Sequence, residues 1–383
     1  MPDGNARCSN SFPVLVALFF FFSSVMETRV SLTNVTTPRN QTAPHRRNKS
    51  YGFSRRSLGV ELTSNLGCTS SQFTAVRIPT NRRIPRPRNL TEQVDPEHIG
   101  LIVKKEWTLS YVTPLYQFRH TQLQSYSKQL AAFIVTEKQQ GVAVEVGQEL
   151  GFKVVFTAVL GLAETEDDAV TVLIQIQSKP AFAAQGEAAK VVWSGWLSCV
   201  SGDVEYLRSL PPDFTCLPLF GASGAESLTA LVKSWFERTF DCYFGPLGIN
   251  STNLEWLAAL WIGCHPDINI RYLKLAWRVP AQPPLDVSYT VHPQDTWELW
   301  NSIRQESNLR DTVDIEEVSR FFRGLESHFF RHFRIYLSAG TLTEVSTSLG
   351  SAHLDGKIKI TSSDMMTSVL ALLTECALLR MPI

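Results

Sequence analysis

The stretch of sequence that most suggests catalysis is a glycine-rich segment around Ser223. Small residues beside a serine allow a strained strand-to-helix turn to expose the nucleophilic Oγ, as in the nucleophile elbow of hydrolases. Asp295 and His353 follow in the order that such a triad needs. However, Ala225 replaces the last glycine of the motif, and Pro218 interrupts the preceding strand. We therefore interpret the segment as a turn into a helix capped by Ser223, with a serine hydrolase as the alternative.

Two histidines with helical spacing, His328 and His332, could together bind a metal ion. Zinc proteases carry a glutamate directly after the first histidine of such a pair, but Phe329 stands there. Partly buried histidines on an aromatic helix are the favoured interpretation. The glycine-rich loops that bind nucleotide phosphates do not occur in the sequence. We expect no catalytic residue, no metal and no cofactor.

The cysteines bear on the cellular compartment of the protein. There are seven, and no two of them have the C-x-x-C spacing of zinc ribbons or thiol oxidoreductases. Most lie between apolar residues, where a free thiol packs as a small hydrophobic side chain. The pattern predicts reduced cysteines in the core, as in a reducing compartment. The seven are Cys8, Cys68, Cys199, Cys216, Cys242, Cys264 and Cys376.

The N-terminus favours a different compartment. An apolar run from Phe12 to Val25 is too short to span a bilayer but has the length of the apolar core of a signal peptide. We treat residues 1–25 as an apolar leader, either signal-like or an upstream extension of the coding sequence. A secreted, N-glycosylated protein is therefore kept as the alternative, because five glycosylation motifs occur. They begin at Asn34, Asn40, Asn48, Asn89 and Asn250.

Charge is distributed unevenly along the chain. The 36 basic and 36 acidic residues cancel, yet the first hundred residues carry 13 basic and 6 acidic side chains, and the remainder carries 23 and 30. Between Arg39 and Arg88 there are eleven basic residues, one acidic residue and several prolines, which predicts a disordered basic arm over residues 26–92. Because arginine suits phosphate, we expect weak or indirect contact with DNA. The candidate contacts are Arg77, Arg82, Arg83, Arg86, Arg88, Lys104 and Lys105.

Residues 93–383 have the composition of a folded body. Asp95-Pro96 predicts the start of a helix that continues to Trp107. Alternating and β-branched segments then predict strands, four of them in succession after the first helices. This order does not match the βαβ rhythm of a parallel sheet. It predicts an α+β fold on a largely antiparallel sheet, with two possible subdomains, 93–210 and 211–383.

The last predicted strands, Leu342–Leu349 and Gly356–Thr361, each have one apolar and one polar face. Either could present an edge to which another protein adds a strand through main-chain hydrogen bonds. We therefore predict a partner interface in these strands. Its candidate residues are Leu342, Val345, Thr347, Leu349, Lys357, Ile358 and Ile360.

The body also contains a series of long segments with unusual sequences. They are Lys105–Leu109, Thr113–Tyr116, Ala132–Gln139, Ala143–Gly147, Asp213–Phe220, Thr239–Phe244, Ser327–Phe329 and His353–Ile360. These segments resemble the centromere protein L family. The resemblance covers about residues 80–383, and the length of the segments makes it specific.

The resemblance implies a function that the residues alone do not give. It implies a non-enzymatic scaffold subunit of the constitutive centromere-associated network, at the inner kinetochore in the nucleus, that serves chromosome segregation. The implied partners are centromere protein N, as a heterodimer through C-terminal sheet surfaces, centromere protein C, other network subunits and centromeric chromatin, with no membrane. The implied fold is a curved sheet backed by helices, like that of a bacterial recombination-associated protein. The apolar leader has no counterpart in the family, whose N-terminus is polar and disordered.

Overall fold

The computed structural model describes most of the body of the chain. The leader (1–25) and the arm (26–92), apart from Ser31–Leu32, lie outside the described residues. The described residues are 31–32, 95–139, 152–178, 190–263, 270–305 and 313–381.

Helices and strands alternate irregularly along the described residues. The helices are Pro96–Ile102 (α1), Leu123–Gln139 (α2), Val204–Ser209 (α3), Glu226–Phe240 (α4), Ser251–Gly263 (α5), Pro293–Gln305 (α6), Ile315–Phe333 (α7) and Met366–Leu378 (α8). The strands are Ser31–Leu32 (β1), Glu106–Val112 (β2), Leu115–Tyr116 (β3), Phe152–Val159 (β4), Thr171–Ser178 (β5), Lys190–Ser198 (β6), Phe214–Thr215 (β7), Leu219–Gly224 (β8), Phe244–Pro246 (β9), Leu273–Val279 (β10), Leu285–Val291 (β11), Thr341–Thr347 (β12), Gly350–His353 (β13) and Lys357–Ile360 (β14).

Most of the strands join one open sheet. Its order is β1-β11-β10-β12-β13-β14-β2-β8-β6-β5-β4, with β9 paired to β2, while β3 and β7 form a separate small sheet. The paired strands are antiparallel. The predicted α+β class with a largely antiparallel sheet backed by helices is confirmed. The division into two subdomains stays a prediction.

Two hydrophobic cores lie on opposite faces of the sheet, because neighbouring residues of a strand point to opposite sides. In β6, Trp196 belongs to the core that α5, α6, α7 and α8 cover, whereas Leu197 belongs to the core under α2 and α4. Val345 in β12 and Ile358 in β14 join the first core. The opposite face of β10–β14 carries half-buried and exposed polar side chains.

The first helix is shorter than predicted. Asp95 caps it as expected, since the Asp95 carboxylate accepts a hydrogen bond from Glu97 N–H, but the helix ends at Ile102. Trp107 lies in β2 and its indole N–H donates to the Ile102 carbonyl at 2.8 Å, which satisfies a terminal acceptor of the helix. Lys104, with φ at 68°, makes the turn in between. Neither glycine nor proline marks this turn in the sequence.

One strand of the C-terminal half was not predicted. β13 consists of Gly350, Ser351, Ala352 and His353, small or polar residues with low strand propensity. It pairs with β12 on one side and with β14 on the other. A Cβ on Gly350 would lie 2.7 Å from the Trp261 ring, so glycine allows the strand to approach α5. This insertion changes which strands can offer a free edge.

Two features are absent from the described residues. None of their helices combines the length and the apolar character needed to cross a membrane. Nor do they bring together three or more histidine, cysteine, aspartate or glutamate side chains that could hold a metal ion.

Candidate functional site

The candidate catalytic serine lies in a regular strand. Ser223 is part of β8 and faces Ser194 of β6 across the ladder, and Ala225 is the N-cap residue of α4. Both the elbow and the predicted helix cap by Ser223 are therefore wrong. His353 lies in β13, three strands away, which corresponds to about 14 Å at the spacing of strands in a sheet. A hydrogen-bonded triad of these residues is not assembled.

The two histidines of α7 contact each other, with ring centroids 4.5 Å apart. His328 is half-buried and His332 is exposed. Burial, and then the neighbouring positive groups His332 and Arg331, lower the pKa of His328 to about 4. His328 is therefore neutral at physiological pH, and its ring packs on the aromatic helix as the sequence suggests.

The predicted partner-interface residues lie in the interior of the sheet. β12 pairs with β10 and β13, and β14 pairs with β13 and β2, so the predicted free edge at these strands is wrong. The physical reason is β13, which occupies the space between them. Of the candidates, Lys357 alone is exposed and points away from the core. The buried ones are Leu342, Val345, Thr347, Leu349, Ile358 and Ile360.

The open edge of the C-terminal half is β11. Its inner side pairs with β10 over all seven residues without a bulge. Within the described residues, its outer side pairs only with Ser31–Leu32, at Ser288 and Val287. Val287, Tyr289 and Val291 point into the core, where the Tyr289 ring lies 5.2 Å from that of Phe329. The rest of the outer edge of β11 consists of main-chain N–H and C=O groups, and the strand is anchored by its buried side chains.

The face of β10–β14 opposite to the helices is polar and carries both charges. Lys274 Nζ lies 3.5 Å from Glu344 Oε1, and Lys357 Nζ lies 3.1 Å from Asp355 Oδ2. The hydrogen bond to Asp355, and then its charge, raise the pKa of Lys357. A row of register partners crosses this face from β11 to β2, and it consists of Thr290, Lys274, Ser346, Ser351, Lys359 and Glu106.

Of the predicted DNA contacts, the structure describes two. Lys104 is exposed, and its main-chain N–H donates to the Ile360 carbonyl at 2.7 Å. Lys105 is half-buried, because its Nζ donates to Ser194 Oγ at 3.2 Å and lies 5.8 Å from the centroid of the Trp107 ring. Burial lowers the pKa of Lys105. Lys104 is thus available to a ligand, whereas Lys105 is engaged within the fold. The arginine candidates lie outside the described residues and are Arg77, Arg82, Arg83, Arg86 and Arg88.

Comparison with known proteins gives a consistent result. A family model described as Centromere protein L matches residues 101–378. Centromere protein L of Danio rerio is 64% identical over 358 residues, which cover 94% of this chain and 96% of that protein. Centromere protein L of Homo sapiens is 45% identical over 320 residues, covering 83% of this chain and 92% of the relative. For the Gallus gallus protein of the same name, identity is 44% over 78% of this chain and 86% of its own length. On these matches, the chain belongs to the centromere protein L family.

Proposed function

We propose that the chain is a non-enzymatic scaffold subunit of the inner kinetochore that heterodimerises with centromere protein N. In this proposal it also contacts centromere protein C and other network subunits, and it helps the centromere-associated network assemble on centromeric chromatin. As a member of its family the chain is a centromere protein, and its site of action is the centromere and kinetochore in the nucleus. The family resemblance supports the identity of the partners, and the position of β11 at the edge of the sheet supports it as the docking surface.

The outer edge of β11, which within the described residues is paired only at Val287 and Ser288, is the observation that carries the proposal. An exposed edge strand is a template for another strand, because main-chain hydrogen bonds give affinity without a specific side-chain pocket. Natural edge strands are usually protected by lysines, prolines or bulges. β11 has none of these, since its sequence is Leu-Asp-Val-Ser-Tyr-Thr-Val and its pairing with β10 is regular. Its one charged residue, Asp286, is paired with Arg278 at 2.9 Å.

Charge supports a protein as the main partner. The residues after position 100 carry 23 basic and 30 acidic side chains, a net charge of −7, which disfavours extensive contact with DNA. The mixed polar face beside β11, including the exposed Lys357, suits a protein surface of mixed charge. In our proposal DNA contact is secondary and salt-sensitive. It rests on Lys104 and on the arm candidates Arg77, Arg82, Arg83, Arg86 and Arg88.

Lysines placed on the edge strand test the proposal. We expect Ser288→Lys with Thr290→Lys to reduce co-purification with centromere protein N at least tenfold, because charged side chains on an edge strand oppose strand addition. The matched control is Thr341→Lys with Ser351→Lys, which adds the same charges to the same face on the interior strands β12 and β13, at positions that do not lie opposite each other. The control should co-purify one-to-one. Equal yields from the two double variants would show that β11 is not the docking edge.

A further inference from the structure

Helix α7 has an outer face that the sheet-edge proposal does not use. Its inner face packs into the core through Val318, Phe321, Phe322, Leu325 and Phe329. A capping box fixes its start, because the Asp314 N–H donates to the Glu317 carboxylate at 2.9 Å. The start, the end and the inner side of the helix are thus set by the fold, which holds the outer side in one orientation.

Four arginines follow one line along the outer face of α7. Arg320, Arg323 and Arg331 are separated by 3 and 8 residues, so they project from the same side of the helix. The C-cap residue Arg334 has a left-handed conformation and lies beside the Phe330 ring at the end of this side. The four arginines extend over about 21 Å at the rise of an α-helix. We call this set, with Phe330 and Tyr336, the arginine stripe.

Two arginines of the stripe lack an acidic partner in the part of the chain that the structure describes. Arg323 Nε donates to the Ser319 carbonyl at 3.2 Å, and the Arg334 guanidinium lies 5.7 Å from the centroid of the Phe330 ring. Neither forms an ion pair with a carboxylate within the described residues. By contrast, the exposed Arg208 and Arg238 are each paired with an acidic side chain. The outer face of α7 therefore carries fixed positive charge, although the body as a whole is acidic.

An aromatic pair, with Phe330 half-buried and Tyr336 exposed, lies at the C-terminal end of the stripe. The rings of Phe330 and Tyr336 are stacked, with centroids 4.0 Å apart, and Tyr336 is 61% exposed. Tyrosine and arginine are among the residues most enriched at the energetic centres of protein interfaces. The pair adds an apolar contact point to a charged surface.

We propose that the arginine stripe binds an acidic peptide segment of a protein partner, with an apolar or aromatic anchor residue that packs on Tyr336. Arginine binds carboxylates in a bidentate manner, and a 21 Å stripe matches about six or seven residues of extended chain. A protein segment fits better than duplex DNA because the phosphates of a duplex make no apolar contact with the exposed Tyr336 ring. Single-stranded DNA offers both negative charge and stacking bases, so its affinity is compared directly with that of the peptide.

Charge reversal tests the electrostatic half of this proposal. The probe is a fluorescein-labelled twelve-residue peptide of aspartate and glutamate with one central phenylalanine, titrated with the full chain at physiological salt. We expect Arg323→Glu with Arg334→Glu to weaken binding at least tenfold. The control, Lys128→Glu with Arg271→Glu, makes the same change in net charge at exposed positions elsewhere and should stay within twofold of the unaltered chain. Undetectable binding by the unaltered chain, or equal losses in both variants, would overturn the proposal.

The anchor and the class of partner need a second comparison. Tyr336→Ala should weaken binding of the phenylalanine peptide about fivefold and leave a peptide with serine in its place unchanged, because the aromatic contact is lost and the charge is kept. The same titration is made with a 20-base-pair DNA duplex and with a single strand of that length. If either nucleic acid bound more tightly than the peptide and lost affinity in the Arg323→Glu, Arg334→Glu variant, the stripe would be a nucleic-acid site.

Discussion

Val345 and Ser346 are neighbours in β12 with opposite environments. Val345 is fully buried in the core, whereas Ser346 lies half-buried on the polar face opposite Lys274. We expect Val345→Asp to lower the free energy of unfolding by about 3 to 5 kcal/mol, because it buries an unpaired charge. Ser346→Asp should change it by less than about 0.5 kcal/mol. Urea denaturation of both variants checks this, and equal stabilities would contradict the assignment of the two faces.

Glu255 on α5 gives a prediction about pH. Burial, and then the nearby carboxylate of Glu326 on α7, raise the pKa of Glu255 to about 7. Because this value lies above the ordinary 4.5, the folded state binds the proton more tightly than the unfolded state, and stability falls as the pH rises from 4.5 through 7. Glu255→Gln should therefore stabilise the protein at pH 8 by about 1 to 2 kcal/mol, after allowance for solvent screening.

The same variant has an internal control at low pH. At pH 4.5 the Glu255 carboxyl is largely protonated in the folded state, so Glu255→Gln should leave the free energy of unfolding nearly unchanged. Denaturation curves at both pH values provide the measurement. A gain of the same size at both values would mean that packing and not ionisation causes the effect.

At the scale of elements, the spacing of apolar residues indicates helices and strands whose formation depends on local sequence. In Leu123–Gln139 and Ile315–Phe333 apolar residues recur at helical spacing, and the structure has helices with these bounds. The hairpin of β10 and β11 was recognisable from two alternating segments around a proline-rich turn. The end of α1 was not recognisable from the sequence. The turn at Lys104 accompanies a hydrogen bond that the Trp107 indole N–H donates to the Ile102 carbonyl.

The order of the strands in the sheet could not be predicted from the sequence. The location of the partner interface depended on that order, because it decides which strand has a free edge. Alternation in β12 and β14 correctly indicated one apolar and one polar face, but it cannot tell which main-chain edge is left open. β13 is made of small and polar residues, so its insertion between those strands carried no local signal. Ser223 was missed as a strand residue for a related reason, because glycines beside it suggest a turn while its ladder partner Ser194 is 29 positions away.

For the whole molecule, the division of charge remains the most informative feature of the composition. The net charge of zero is the sum of a basic N-terminal region and a body of net charge −7. The resemblance to the centromere protein L family is confirmed by the family model and the relatives, and the centromeric localisation it implied is confirmed with it. Within the described body, Arg323 and Arg334 place positive charge without an acidic partner on α7, on the side away from the core. We propose two protein-docking surfaces on this body, the edge of β11 and the arginine stripe.

Hydrogen–deuterium exchange of the full chain, with and without centromere protein N, tests the central claim most directly. Strand addition would bury the outer main-chain groups of β11, so amides in Leu285–Val291 should exchange more slowly in the complex. Amides in the interior strand Thr341–Thr347 should exchange at the same rate in both states. Slower exchange in Thr341–Thr347 with no change in Leu285–Val291 would contradict the account.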